Sequence, residues 1–420
     1  MIKCKLGELL KIKHGYAFKS ENYVDKSNYA LVTLANISET NNFKFNYEKT
    51  TFYGADFPNE FILKPGDLIM PLTEQVVGLI GNSAFVPKIN DLTFVLNQRV
   101  GKVICNENKI NKYYLHYLLA TQIVKEQLEY RASGTKQRNI SPENVYDVTV
   151  YIPELEIQNK IGKTLYNIEN KINNNNRIIS ELESMAKTIY DYWFLQYEFP
   201  NEDGKPYKSS GGKMVYNEEL KKEVPEGWNC KKIGDIEGNI VTGKTPSTKD
   251  EKNFGGTIPF ITIDDIRQGL YISNTIRTLS EKGANLQVKK YIPEDSICVT
   301  CIATVGLVGI TTQDSQTNQQ INSIVCENKN NLYYLVNAIK DHFKYSSGAK
   351  TGNVFDNMNK EDFSSIKVVH PTENVLKMYK DKMQPLYDNI KSNILENQEL
   401  TKLRDYLLPL LMNGQVSFKN

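Results

Sequence analysis

The sequence predicts an α+β fold built by duplication. Two homologous domains of mixed strand and helix are each followed by one long helix, and the two helices pair as an antiparallel coiled coil, a pseudo-twofold internal repeat. Three observations lead there. Short segments recur in the same order about half a chain apart. Short β-rich runs broken by Gly, Pro, Asn and Asp fill each copy. A heptad of apolar residues follows each copy.

The repeat is read first from LNQRVGKVIC (96–105) and TNQQINSIVC (317–326), which match Asn97 to Asn318, Gln98 to Gln319 and Cys105 to Cys326. NKYYLHYLL (111–119) is echoed by NLYYLVNAI (331–339). LKPGDLIM (63–70) pairs with YIPEDSIC (291–298), and VGLIG (77–81) with VGLVG (305–309). Gly15 and Gly243 share the 228-residue offset of those last two pairs. The offset drifts to 221 at Asn97 and Asn318 and to 214 at Gly134 and Gly348, as small loop deletions between two diverged copies would produce. A unit this long is a duplicated domain and not a solenoid repeat.

Within each copy, runs such as ALVTLANI (30–37), DLIMPL (67–72), VGKVIC (100–105), IPFITI (258–263) and SICVTCIATV (296–305) read as strands of a twisted, largely antiparallel sheet. YYLHYLLATQIVKEQL (113–128) has apolar spacings of three and four and reads as a helix. Boundaries follow at 1–153 for the first domain, 154–198 for its helix, 199–227 for a linker, 228–371 for the second domain and 372–420 for the second helix. The linker is rich in Gly, Pro, Ser and charge, the composition of an exposed connection.

The first long helix carries Ile161, Leu165, Ile168 and Ile172, then Ile179, Leu182, Met185, Ile189 and Trp193, with Asn175 in the gap. The second carries Tyr379, Met383, Leu386 and Ile390, then Leu400, Leu403 and Leu407, with Asn393 matching Asn175. About 40 residues make each helix roughly 60 Å long, more than a small domain covers. The domain inserted between them can begin and end at one end of the pair only if the helices run oppositely. An Asn175–Asn393 pairing would set Leu182 by Leu386, Ile168 by Leu400 and Leu165 by Leu403, a polar seam pair that fixes register.

Composition excludes several classes. With 40% apolar and 24% charged residues the chain reads as globular, and no stretch approaches the ~20 apolar residues of a membrane-spanning helix. The start, MIKCKLGELLKIKHG, has no secretory core, and six scattered cysteines suit a reducing compartment, so a cytoplasmic address is expected. Net charge is +2, which neither announces nor forbids nucleic acid. Cys298 and Cys301 are spaced like half a metal site, but with four His dispersed along the chain they read as strand residues, and neither metal nor cofactor is expected.

One segment does imitate an enzyme. GNIVTGKT (238–245) matches the phosphate-loop pattern, and FITIDD (260–265) resembles a strand ending in metal-binding carboxylates. A phosphate loop needs a helix whose first amides face the phosphates, and PSTKDEKNFGGTI after Thr245 has no apolar stripe to pack one. An NTP-hydrolysing or nuclease enzyme using Gly238 to Thr245 is therefore the alternative, not the leading reading. Neither a G-x-S-x-G elbow nor an H-E-x-x-H helix is present, and the chain reads as a binder, not an enzyme.

The ordered series, twice over, resembles one family. GYAFKS (15–20) and TGKTPST (242–248), the two Asn-Gln pairs, Tyr113-Tyr114-Leu115 and Tyr333-Tyr334-Leu335, SGTKQRNI (133–140) and SGAKTGNV (347–354), and Pro153 or Pro371 before each helix resemble the DNA-sequence specificity subunits of type I restriction–modification systems. The resemblance covers essentially the whole chain. It implies two target recognition domains, each reading one half of a bipartite double-stranded DNA site, held apart by spacer helices. It also implies two methyltransferase subunits docked on the helices and restriction motor-nuclease subunits joining them. Because the two domains differ, the site should be asymmetric. Loop residues suited to bases and phosphates then become candidates: Lys13, Tyr16, Lys19, Ser20, Arg131, Lys136, Arg138 and Asn139 in the first domain. In the second they are Lys244, Thr245, Ser247, Thr248, Arg267, Lys350 and Asn353. Asn97 and Asn318 read instead as frame, since residues kept in both copies cannot make two domains read different sequences.

Overall fold

The computed structural model describes residues 1–74, 78–89, 91–134, 137–348 and 357–416, the side chains of 345–348 excepted. The chain forms two compact units, Met1–Ile172 with Glu399–Asn420, and Asn173–Gln398. Lys136, Lys350 and Asn353 lie outside the described residues. No described helix is long and apolar enough to cross a membrane.

In the first unit a four-stranded sheet runs in the order Leu10–His14, Val100–Cys105, Leu68–Pro71, Ala84–Phe85. In the second, a five-stranded sheet begins with the equivalent four, Ile240–Thr242, Ile321–Val325, Ser296–Thr300 and Val308–Thr311, in the same order, and adds Tyr271–Ile272. The duplication seen in sequence is thus a duplication of topology. Each unit also closes its domain with a two-stranded ribbon, Ile2–Lys5 on Thr149–Ile152 and Asn229–Lys232 on Lys367–His370. Most pairings are antiparallel, but Tyr29–Val32 pairs parallel with Thr93–Leu96 in a further four-stranded sheet.

The repeated Asn-Gln segment has a physical role in this frame. It forms the turn that feeds the strand Val100–Cys105 or Ile321–Val325, and the glycine turn of the preceding strand lies directly upon it. Gly15 N donates to Val100 O and Tyr16 N to Leu96 O, while Gly243 N donates to Ile321 O and Lys244 N to Thr317 O. A Cβ on Gly15 would meet Asn97 O at 2.1 Å, and one on Gly243 would meet Asn318 O at 2.2 Å. Glycine is required here by proximity. Asn97 and Asn318 are buried, and each side-chain oxygen accepts a backbone amide of its own turn, from Arg99 and Gln320 respectively.

Local chemistry modifies two sequence expectations. The run 113–128 is two helices, Lys112–Leu119 and Gln122–Arg131, broken where Thr121 adopts an extended conformation and its hydroxyl donates to Leu118 O. Its counterpart Leu332–Gly348 is continuous. The composition of 199–227 predicts an exposed connection, yet Met214–Asn217 and Lys222–Pro225 form a hairpin. Phe199 stacks on Tyr207 and Trp228 with ring centroids 4.6 and 5.0 Å away, so buried aromatics anchor this polar segment.

The long helices are Leu155–Tyr190, continued by a wider turn at Asp191–Leu195, and Glu373–Met412. In the second unit they run antiparallel: Trp193 packs on Tyr379 with ring centroids 5.6 Å apart, and Asn175 Nδ2 donates to Asn397 Oδ1 at 2.9 Å and Glu396 Oε2 at 2.8 Å. In the first unit Arg404 Nη1 reaches Glu169 Oε2 at 2.8 Å, and Ile161, Leu165, Leu411 and Met412 share one core. The partner of Asn175 is therefore Asn397, one helical turn beyond Asn393, whose side chain donates to Asn389 O on its own helix. The shift of four residues overturns the pairings drawn from Asn393.

The buried stripe also drifts. Ile161, Leu165, Ile172 and Asn175 are buried, Ile168 and Leu182 are half-buried, and Met185 is 53% exposed while Ala186 is 3% exposed. An α-helix advances 3.6 residues per turn, so a strict 3.5-residue pattern slips sideways over several heptads. On the second helix Tyr379, Met383, Tyr387 and Ile390 are buried and Leu386 and Leu400 half-buried, but Leu403 is 45% exposed because Arg404 takes the inward position facing Glu169.

Two outcomes test this frame. Gly15→Ala should lower the unfolding free energy by about 1–3 kcal/mol, because the clash is with backbone that cannot rotate away; urea melts read it. Asn397→Ala should cost about 1 kcal/mol, the worth of a partly buried hydrogen bond, and Asn393→Ala within about 0.5 kcal/mol. Equal losses in thermal melts would restore the Asn393 register.

Candidate nucleic-acid interface

In the second unit, backbone and side-chain bonds join several loops into one edge. Thr245 Oγ1 donates to Gln319 Oε1 at 2.5 Å, and the neighbouring Gln320 carbonyl accepts from Cys301 N at 2.8 Å. The turn after Cys301 continues through Ala303 at φ 66° to Thr304, whose hydroxyl accepts from Arg267 Nη2 at 2.7 Å. Arg267 is about half exposed and also pairs with Asp264 at 2.8 Å. The sequence candidates Thr245 and Arg267 are thus brought to one edge, with exposed Lys244 beside them. Ser247 and Thr248 are exposed on the adjoining loop, where Ser247 O accepts from Asn253 Nδ2 at 3.0 Å.

The first unit builds a comparable edge from the same frame. The Tyr16 carbonyl accepts from Gln98 N, Arg99 O accepts from Leu72 N, and Leu72 O accepts from Ile140 N. This brings the 16–20 loop, the exposed pair Gln98 and Arg99, and the strand Arg138–Asn139 together. Lys19, Ser20 and Asn139 are exposed. Asn139 sits opposite Thr73 in the short ribbon.

Other candidates are committed elsewhere. Lys13 Nζ lies 2.8 Å from Glu60 Oε2 and 4.9 Å from the Phe61 ring centre. Tyr16 packs its ring on Phe18 and Phe61. Arg131 ends its helix with Nη1 donating to Gln127 O at 2.9 Å. Arg138 departs furthest from its sequence role: Nη1 lies 3.0 Å from Glu74 Oε1 and Nη2 donates to Glu129 O at 2.6 Å. Glu74 is 1% exposed, and its other oxygen accepts from the amides of Gly78, Leu79 and Ile80. A carboxylate so buried needs both the cation and the amides, so Arg138 serves the fold. Sequence alone pointed to Arg138 as a loop cation because Glu74 stands 64 residues before it.

Gln98 and Gln319 were not singled out from sequence, because their repetition marked them as frame. The signal available was their position immediately after a buried Asn, at the exposed tip of a turn.

The phosphate-loop imitation does not form a phosphate site. Its centre, Ile240–Thr242, is a strand paired with Ile321–Val325, and the Lys244 amide is bonded to Thr317 O. No helix follows Thr245; the chain goes on to a single turn at Glu251–Asn253. Amides that would have to face phosphate are spent on the sheet. Cys298 and Cys301 lie in and just after the buried strand Ser296–Thr300, and burial pushes their thiols up to about 12 and about 11. Thiols held that high resist the thiolate form that metals and electrophiles take.

A duplicated α+β domain, two antiparallel helices and two loop edges carrying cations and amide side chains define a double recognition module. The type I restriction modification DNA specificity domain matches residues 2–184 and again 225–402. The chain belongs to the DNA specificity subunits of type I restriction–modification systems. It is 30% identical over 391 residues to the HindI specificity subunit of Haemophilus influenzae, covering 80% of this chain and 84% of that one. The MjaIX specificity subunit of Methanocaldococcus jannaschii is 26% identical over 327 residues, 76% and 72% of the two chains. The crystal structure of the type I S subunit from M. genitalium shares the fold, with a TM-score of 0.63 at 15% identity over 98% of this chain and 95% of that one.

Separating fold from reading is straightforward here. Arg138→Met should destabilise the first unit by about 3 kcal/mol, since it leaves Glu74 buried without its cation. Arg267→Met should change stability by no more than about 0.5 kcal/mol. Denaturant unfolding of the two variants checks the contrast.

Proposed function

We propose that this chain is the non-catalytic reading and scaffolding subunit of a type I complex in the cytoplasm. The first recognition domain, 1–153, and the second, 228–371, each read one short element of a bipartite, asymmetric double-stranded DNA site. The helices at 154–198 and 372–420 hold the elements apart and receive two methyltransferase subunits, which restriction subunits join. The observation that carries this reading is the pair of edges on one repeated frame: the turn that exposes Arg99 in one domain has in the other a half-buried Gln320 whose amide oxygen accepts from Asn318 Nδ2, and Arg267 enters only the second.

The roles follow from the residue chemistry. Arg267, Gln319 and Gln98 offer the donors and acceptors that distinguish base edges in the major groove. Lys19, Ser20, Lys244, Ser247 and Thr248 suit phosphate contact, which sets position without reading sequence. On the helices Ile178, Met185, Leu395 and Tyr406 are each at least 39% exposed, apolar surface of the kind a protein partner covers.

Footprinting and methylation assays with the co-purified methyltransferase should reveal one split site, and a complex that protects no preferred sequence would sink the proposal. Lys244→Ala should weaken binding nearly uniformly across sequences and reduce the salt slope by about 1. Arg267→Met should cost about 1–3 kcal/mol and relax preference within one half-site only. ATP hydrolysis by the purified chain that vanishes in Lys244→Ala would favour the enzyme reading instead.

A further inference from the structure

A charged joint lies away from both reading edges, inside the first unit. Glu169, on the first long helix, is 8% exposed. Its Oε1 accepts from Asn42 Nδ2 at 2.8 Å, and its Oε2 accepts from Arg404 Nη1 at 2.8 Å. Asn42 belongs to a loop of the first recognition domain and Arg404 to the second long helix. One carboxylate therefore ties the domain to both helices.

The tie continues into the domain. Ser38 Oγ accepts from Asn42 N at 2.8 Å, and Ser38 O accepts from Asn82 Nδ2 at 2.9 Å. Asn41, held at φ 59°, accepts from Ser83 N at 3.1 Å, and Ser83 Oγ lies 2.8 Å from His116 Nδ1. Asn82 and Ser83 have no exposed surface. A polar chain thus links the helix pair, through the 38–42 loop, to the helix Lys112–Leu119.

The second unit does this differently. At the helix offset of 218 residues, Glu169 corresponds to Tyr387 and Arg404 to Ala186. Tyr387 stacks on Tyr333 with ring centroids 4.1 Å apart and its hydroxyl accepts from Asn337 Nδ2 at 2.9 Å. Ala186 is 3% exposed. The same frame can evidently be joined to its helices by aromatic packing and one amide. A buried ion pair gives up desolvation energy that apolar packing keeps, and its best-attested return is a fixed geometry. Angle matters in this position, because one base pair is a rise of only about 3.4 Å.

We infer that the Asn42–Glu169–Arg404 joint is a positioning site that fixes the angle of the first recognition domain on the helices and so the length of the unread gap between half-sites. This rests on the bipartite reading proposed above. The three residues act through the domain they hold and not by touching bases.

The test uses the full chain co-purified with its methyltransferase subunits and DNA duplexes carrying both half-sites at the native gap or one base pair shorter or longer. Glu169→Gln keeps an acceptor for Asn42 but removes the charge. It should lose roughly tenfold of the discrimination between gaps, the scale of one hydrogen bond to a charged group, while sequence preference within each half-site is kept. Arg404→Lys, which keeps the charge opposite Glu169, should lose less than Glu169→Gln. Should Glu169→Gln fail to fold, Asn42→Ala gives the same reading from the domain side. Unchanged gap discrimination in folded Glu169→Gln and Asn42→Ala overturns the joint alone, as does a loss of half-site preference in step with gap discrimination. A wild-type complex with no split-site preference overturns the bipartite reading and the joint with it.

Discussion

The contact between a glycine turn and the carbonyl of a buried asparagine, made once in each unit, sets what the rest of each recognition domain can be. Gly15 on Asn97 and Gly243 on Asn318 leave no room for a Cβ. Two strands are thereby joined at their ends, and the exposed residues on either side become neighbours. Gln98 and Arg99, or Gln319, are presented by backbone that is already fixed. Side chains at the edge can then change without disturbing the sheet beneath. A reader of DNA needs that separation of frame from contact, since phosphate contacts position and base contacts specify.

Where the domains meet the helices the two copies diverge in chemistry more than in topology. The first unit uses a carboxylate shared between an amide and a guanidinium, and the second uses stacked tyrosines around Asn337. The helices are held in register by Asn175, which spans Glu396 and Asn397. A buried amide in a largely apolar stripe discriminates against slippage, because a shifted helix would leave it buried opposite hydrocarbon.

Much of this was legible in the chain. The ordered repeats yielded the duplicated domain, the heptads yielded two long helices, and the domain inserted between them required the helices to run oppositely. The register did not follow, because Asn393 and Asn397 stand one turn apart and the repeat favours the former while packing favours the latter. Arg138 looked like a loop cation because its buried partner Glu74 belongs to a different strand. The segment 199–227 looked like an open connection because its composition hides the few aromatics, Phe199 and Tyr207, that fasten it. In each case the missing information was a tertiary contact, which local pattern does not carry.

The first unit is assembled from both ends of the chain, whereas the second is one continuous stretch. The core that holds Leu10 and Tyr114 is completed by Leu411 and Met412, and Glu169 waits for an arginine 235 residues later. During synthesis the second unit therefore has all of its residues before the first does, although the first begins to emerge earlier. Vectorial translation, which ordinarily matures domains from the amino end, is here reversed for the final step. A ribosome that stalls within the last two helical turns would release a finished second reader beside a first one still lacking part of its floor.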